Sequence, residues 1–347
     1  MTASRARVWW SSFFAVMTAF SVGNQSPAGV QEKRPSTPPP LGEMVDIGGQ
    51  RIHIRCTGEG SPTVLLENGT GDFSWIWTPV QSGVASFTRV CSYDRGGYAW
   101  SDPGTQPRTF AQLALELHAA MAKLHIDPPY ILVGQSYGGL VVRGFFAQYP
   151  SEVVGMVLVD AVHEDQQVVY GGQPHRIREG ALGRAFPAPH ISLDTALVRK
   201  AREAAAPAPM KLPLDGPLGT MSARLQEMWQ WADSQPLVRM AQSSELDWSP
   251  EELARMHTDR LRDRQSLGNI PLIVLARTRG GYPNGMNISA DSLEHERVRL
   301  QADLALLSSN GKLVVAPNSG HNIHLEDPEL VIRAIRDVFQ QVHERKH

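Results

Sequence analysis

In Gly134-Gln135-Ser136-Tyr137-Gly138-Gly139 a serine is flanked two positions to either side by glycine, directly after the apolar run Tyr130–Val133. That spacing suits a sharp strand-to-helix turn, because glycine accepts unusual backbone angles and lets strand and helix pass closely. Such a turn holds a hydroxyl up as a nucleophile. A serine hydroxyl attacks poorly at neutral pH unless a neighbouring base takes its proton as the new bond forms, and histidine suits that task. Twelve histidines are present. His321 follows the last predicted strand in a Ser319-Gly320-His321 turn and is the expected base. His324 is the alternative and is read instead as a packing or capping residue at the start of the last helix. His163 and His295 have no comparable placement.

The elements around these residues alternate short β-branched runs with amphipathic stretches, the pattern of a mostly parallel sheet covered on both faces. Met44–Ile47 and Arg51–Cys56 read as a hairpin around Gly48-Gly49. Val64–Glu67 and Val90–Tyr93 are short strands, the second followed by the bend Asp94-Arg95-Gly96-Gly97. Phe110, Leu113, Leu117, Ala120, Met121 and Leu124 share one face of a helix that Asp127-Pro128-Pro129 ends. Tyr130–Val133, Leu140–Tyr149 and Val153–Val159 then form a strand, helix and strand, a unit that requires a right-handed crossover and parallel strands. Regularity is lost between Val162 and Leu267, which reads as an inserted helical cap. Pro271–Ala276 resumes the sheet and Asp291–Leu307 is a helix with Leu293, Leu300, Leu304 and Leu307 inward. Lys312–Ala316 is the last strand, and Asp327-Pro328 starts the last helix. No internal repeat is visible.

Composition sets the outer bounds. The 347 residues are 42% hydrophobic and 20% charged with a net charge of −2, which fits a folded globular protein and gives no global field for nucleic acid. Arg5 and Arg7 precede an apolar stretch from Val8 to Val22, the grammar of a signal peptide. The stretch falls short of the ~20 apolar residues that span a bilayer, so export, periplasmic or secreted, is expected ahead of membrane anchoring. Residues Pro35–Pro40 read as an extended spacer. Only Cys56 and Cys91 are present, in no zinc or redox pattern, and neither a metal nor an organic cofactor is expected.

The chain resembles the α/β-hydrolase superfamily from about Glu43 to the C-terminal helix. The residues that carry the likeness are Leu65-Leu66-Glu67-Asn68-Gly69-Thr70, in which Asn68-Gly69 replaces the more usual His-Gly, Tyr93-Asp94-Arg95-Gly96-Gly97-Tyr98 through Ser101-Asp102, the Ser136 elbow, and the His321 turn. The resemblance implies an α/β fold with a mostly parallel eight-stranded sheet, helices on both faces and a helical cap. Together with the composition, it divides the chain into a leader or anchor (1–28), a proline-rich linker (29–42), a first part of the core (43–161), the cap (162–267) and the remaining core (268–347). It assigns an oxyanion hole to the backbone N–H groups of Thr70 and Tyr137. It also needs an acid to hold the imidazole in its tautomer and stabilise its cation. The commonest place for that acid is the loop after Ala276, but Arg277-Thr278-Arg279-Gly280-Gly281 offers no carboxylate. Some relatives place it one core strand earlier, which makes Asp160 the first choice, with Glu164, Asp165 and Asp291 as contenders. Asp94 and Asp102 read as carboxylates that hold loops together. Cys56 and Cys91 fall on neighbouring strands of this fold, where they can pair in an oxidising compartment or stay as buried thiols.

The reaction implied is acyl transfer from a small-molecule ester to water through Ser136. Amides, lactones and carbon–carbon bonds between carbonyls can use the same apparatus, and a non-catalytic hydrolase-like binding domain is the reading from another class. Epoxide hydrolase or dehalogenase chemistry needs a carboxylate at the elbow, where this chain has Ser136. Trp75, Trp77, Trp229, Trp231 and Trp248 could wall an apolar acyl pocket, although packing is the commoner use of such residues.

Overall fold

Side chains alternate along a strand, and here both alternating sets are apolar. Val64 and Leu66 join one buried cluster with Ile131, Val133, Val157 and Val159. Leu65 joins another with Leu132, Met156 and Leu158. Strands apolar on both sides need helices on both faces. The computed structural model supplies them; it describes residues 37–170, 173–204, 216–280 and 289–345.

In chain order the core opens with β1 (Glu43–Asp46), β2 (Arg51–Thr57), β3 (Thr63–Glu67), α1 (Thr78–Val84), β4 (Val90–Tyr93), α2 (Phe110–Lys123), β5 (Tyr130–Gln135), α3 (Gly138–Gln148) and β6 (Val153–Val159). An insertion follows, with β7 (Gln167–Tyr170), β8 (Gln173–Arg176), α4 (Thr195–Glu203), α5 (Ala223–Asp233), α6 (Pro236–Asp247) and α7 (Ser249–Arg262). The core then returns through β9 (Leu272–Arg277), α8 (Ala290–Ala305), β10 (Gly311–Ala316), the single turn α9 (Ile323–Glu326) and α10 (Pro328–Glu344). The insertion is mainly helical, as its sequence suggests, but also carries the antiparallel pair β7–β8.

Eight strands form one sheet in the order β1-β2-β4-β3-β5-β6-β9-β10, antiparallel at the β1–β2–β4 end and parallel from β4 onward. Helices α1 and α10 cover one face through Val80, Val84, Val331, Ile335 and Val338. On the other face lie α2, α3 and α8, with Leu117, Met121, Phe145 and Leu304 inward. The register sets Cys56 directly opposite Cys91, and the two are joined as a disulfide.

Local signals explain the helix starts that matter. Thr109 accepts from the Gln112 N–H at the start of α2, and Asp327 accepts from Leu330 N–H ahead of Pro328 in α10, so each cap satisfies one otherwise unpaired donor. Strand β5 runs two residues beyond the expected Val133, because Gly134 and Gln135 pair with Leu158 and Val159 of β6. Of the proline-rich spacer, Pro38 accepts a hydrogen bond from the Trp100 indole, and this end of the spacer is tied to the core. The leader, 1–28, lies outside the described residues. Among the described residues no helix is long and apolar enough to cross a membrane.

Candidate active site

Ser136 stands between the end of β5 and the start of α3 with φ of +53°, a left-handed conformation that costs a non-glycine residue energy. Its surroundings hold it there. Ser136 N–H donates to the Val159 carbonyl at 3.1 Å, and its own carbonyl accepts from Val162 N–H at 3.0 Å. Both bonds reach across to the end of β6. The flanking glycines are required by close approach: a Cβ on Gly134 would meet the Gly138 carbonyl oxygen at 2.5 Å, and one on Gly138 would meet the Glu67 and Asn68 carbonyl oxygens at 2.5 and 2.7 Å. The second contact brings the start of α3 against the loop after β3, which contains Thr70. Among the described residues neither Thr70 N–H nor Tyr137 N–H donates to a protein acceptor. Two backbone donors near the hydroxyl are thus uncommitted.

His321 lies in the turn between β10 and α9. The Ser319 carbonyl accepts from Thr278 and Arg279 N–H, Gly320 N–H donates to Glu326 Oε2 at 3.0 Å, and Arg279 pairs with the same carboxylate at 2.8 Å. The turn is therefore fixed to the loop after β9. His321 Nδ1 lies 2.7 Å from Asp160 Oδ2, and the imidazole is 25% exposed where the carboxylate is 3% exposed. Asp160 follows β6 directly at φ of +40°. Its other oxygen accepts from Arg297 Nη1 at 2.6 Å and Arg277 N–H at 3.3 Å. Burial pushes this carboxyl up, but the His321 hydrogen bond and the Arg297 and Arg277 charges outweigh it and hold it below the ordinary value. Asp160 is ionised at neutral pH and aimed at the imidazole.

Ser136 Oγ makes no hydrogen bond among the described residues, and the link between the two turns runs instead through Gln135, whose Nε2 donates to the His321 carbonyl at 3.4 Å. The other acids have other partners. Glu164 pairs with Arg143 at 2.8 Å and Arg260 at 3.4 Å, and Asp165 with Arg178 at 2.6 Å. Asp291 is exposed in the first turn of α8. Asp94 accepts from Ser74 N–H and meets His53 Nδ1, each at 2.7 Å, and Asp102 pairs with Arg51, so both hold loops. His163 pairs with Asp303. His324 is fully buried against Trp77, and burial depresses it to about 3, so it stays neutral. Trp75 stacks on Phe73, Trp229 meets the edge of the same ring, and Trp231 lies beside Trp100; these rings pack the core. Trp248 lies under Arg184 in the insertion.

Sequence reasoning missed three features of the site. Arg297 sits on the buried stripe of α8, four residues after Leu293 and three before Leu300. A charge on an apolar stripe was the signal that could have found it. The same signal marks Glu245 on the buried face of α6. Glu245 pairs with Arg95 at 2.8 Å, and Arg95 in turn binds Glu67 at 2.7 Å and donates to the Asn68 and Gly69 carbonyls at 2.8 and 3.0 Å. One guanidinium thus ties the insertion to the loop that carries Thr70. The third omission, Asp72, gave no sequence signal.

A family model described as alpha/beta hydrolase fold matches residues 62–328. An AB hydrolase superfamily protein of Gibberella zeae is 26% identical over 81% of this chain and 87% of its own length. A probable transporter of Hormonema carpetanum is 27% identical over 86% of this chain, which spans 42% of that relative's length. Among solved structures, a thermophilic esterase from Thermogutta terrifontis superposes with a TM-score of 0.56 at 19% identity, over 85% of this chain and 94% of that one. A meta-cleavage product hydrolase from Pseudomonas fluorescens gives 0.58 at 18% identity, over 86% and 98%. A putative epoxide hydrolase from Pseudomonas aeruginosa gives 0.59 at 16% identity, over 87% and 96%.

Proposed function

Because the chain belongs to the α/β-hydrolase fold family, we propose that it is a serine hydrolase that moves the acyl group of a small carboxylic ester to water through an acyl-enzyme on Ser136. The observation that carries this reading is the His321–Asp160 hydrogen bond at 2.7 Å beside a serine at φ of +53°. Asp160 fixes the Nδ1–H tautomer, which leaves Nε2 as the base. His321 takes the Ser136 proton as the hydroxyl attacks the carbonyl and returns it to the leaving alcohol; water then repeats the sequence on the acyl-enzyme. The Ser136–His321 hydrogen bond belongs to the substrate complex, since such bonds commonly tighten only there. The uncommitted Thr70 and Tyr137 N–H groups receive the oxyanion. Likeness in fold to an esterase, a carbon–carbon bond hydrolase and an epoxide hydrolase does not choose among substrates. A serine at the elbow favours acyl transfer over epoxide opening, which needs a carboxylate there.

Residues 162–267 act as the cap over this site, and the protein works outside the cytoplasm. The Cys56–Cys91 disulfide supports export, because oxidising compartments preserve such bonds. The deciding experiment is labelling with a fluorophosphonate probe. Wild-type protein should be modified at Ser136, and Ser136→Ala should not react. Folded wild-type protein that stays unlabelled would overturn the reading in favour of a non-catalytic binding domain.

A further inference from the structure

Three aspartates lie in the turn after β4 and in the oxyanion loop, and two are spent on structure: Asp94 on Ser74 and His53, Asp102 on Arg51. The third, Asp72, lies in that loop and has no hydrogen-bond or ion-pair partner for its carboxylate among the described residues. It sits beside the nucleophile. A side chain built on Gly69 would begin 2.8 Å from Asp72 Oδ2, 2.4 Å from Gln135 Oε1 and 3.3 Å from Ser136 Cβ, so all three surround one point. Gln135 is 1% exposed and its Oε1 has no partner; the neighbouring Thr70 Oγ1 is likewise buried and unpaired. Buried polar atoms are paired in the great majority of cases, yet Gln135 Oε1, beside both Ser136 and the half-buried Asp72 carboxylate, has no partner, and neither has Thr70 Oγ1 in the same loop. The ionisable groups that act on Asp72 are His321, when protonated, and Arg95. Arg95 itself is committed to Glu67, Glu245 and two loop carbonyls.

We propose that Asp72, with Gln135 Oε1 and Thr70 Oγ1, is a recognition point for a hydrogen-bond donor on the substrate, an ammonium or hydroxyl group within a few bonds of the scissile carbonyl. The inference rests on the reading of Ser136 as nucleophile and adds a substrate class to it: esters with an amino or hydroxyl substituent close to the reacting centre. A site that hydrogen-bonds a substrate donor discriminates strongly against the analogue that lacks it, because its own polar groups are then left unpaired. Burial raises the Asp72 carboxyl to about 6 against the pull of His321 and Arg95. The carboxylate, and with it the attraction for a cation, is therefore present above that pH and lost below it.

The test compares the 4-nitrophenyl esters of 3-aminopropanoate, 3-hydroxypropanoate and butanoate, whose acyl chains end in ammonium, hydroxyl and methyl at the same position. Wild-type protein should favour the amino ester over butanoate by at least tenfold in kcat/KM at pH 7.5, with the hydroxy ester between. The amino-to-butanoate ratio should fall with a midpoint near pH 6, a readout in which any pH dependence shared by the two esters cancels. Asp72→Asn should remove most of the ammonium preference and the pH step while keeping part of the hydroxyl preference. Asp72→Ser, checked by thermal melting, serves if the asparagine variant does not fold. Equal kcat/KM for the amino and butanoate esters in wild-type protein, or a preference that survives in both variants, overturns the inference. Fluorophosphonate labelling of the same wild-type sample separates the two failures: labelled protein without the preference refutes the Asp72 site alone, whereas unlabelled protein refutes the nucleophile and the site together.

Discussion

Asp160 carries more than the imidazole. With Arg297 at 2.6 Å on one oxygen and His321 at 2.7 Å on the other, its replacement by asparagine removes the charge that stabilises the imidazolium. Asp160→Asn should lower kcat by about 10³–10⁴-fold in a spectrophotometric ester assay, while Asp291→Asn, exposed on α8, should stay within about threefold of wild type. His324 makes a separate prediction about stability. Its folded value lies near 3 and its unfolded value near 6.5, so below 6.5 the unfolded chain binds the extra proton and stability falls as pH drops. At pH 5 this should cost about 2 kcal/mol, and thermal melts of His324→Phe should lose that part of the acid sensitivity. Ser136 and His321 were legible as candidates in the sequence because their motifs are local: glycine spacing around one, a strand-following turn for the other. Asp160 was one acid among four, since only chain-distant packing shows that it meets His321. Asp72 could not be read at all, because a lack of partners is a property of the assembled loop.

At the scale of elements, the hairpin β1–β2 hangs on the edge of the sheet and is tied to β4 by the Cys56–Cys91 disulfide across 35 residues. Closing a loop of that length in the unfolded chain is worth about 3–4 kcal/mol. Thermal or urea unfolding with and without reductant should show a loss of that order, and the double variant Cys56→Ala/Cys91→Ala should reproduce it. Gly138→Ala is the sharper disruption, because its Cβ would meet two backbone carbonyls that cannot yield like a side-chain tip. A loss of more than about 2 kcal/mol is expected, measured by denaturant unfolding together with the rate of fluorophosphonate labelling. The strands of the core were readable from their period and their β-branched content. Their ends were less so: ladder pairing with β6 carries β5 through Gln135, and α3 starts at Gly138, two residues before its first apolar position. The pair β7–β8 was missed because Gln167–Tyr170 and Gln173–Arg176 have no sustained alternation.

Across the molecule, Arg95 joins three parts of the chain that are remote in sequence: Glu67 at the end of β3, the Asn68–Gly69 backbone, and Glu245 on α6. All three side chains are buried. Removing one member of such a group leaves an uncompensated charge and typically costs about 3–5 kcal/mol. Glu245→Ala should lower stability by that order in chemical unfolding and open the insertion to limited proteolysis before the core is cut. Intact resistance in that variant would show that apolar packing alone seats the insertion. The strand that leads into the insertion has a further consequence. Val162, two residues beyond Asp160, donates its N–H to the peptide oxygen of Ser136, so the insertion is rooted in the turn that carries Ser136. Chimaeras that exchange this region between relatives therefore have to be spliced beyond 162, since a seam placed earlier trades selectivity while loosening the peptide unit on which the hydroxyl is mounted.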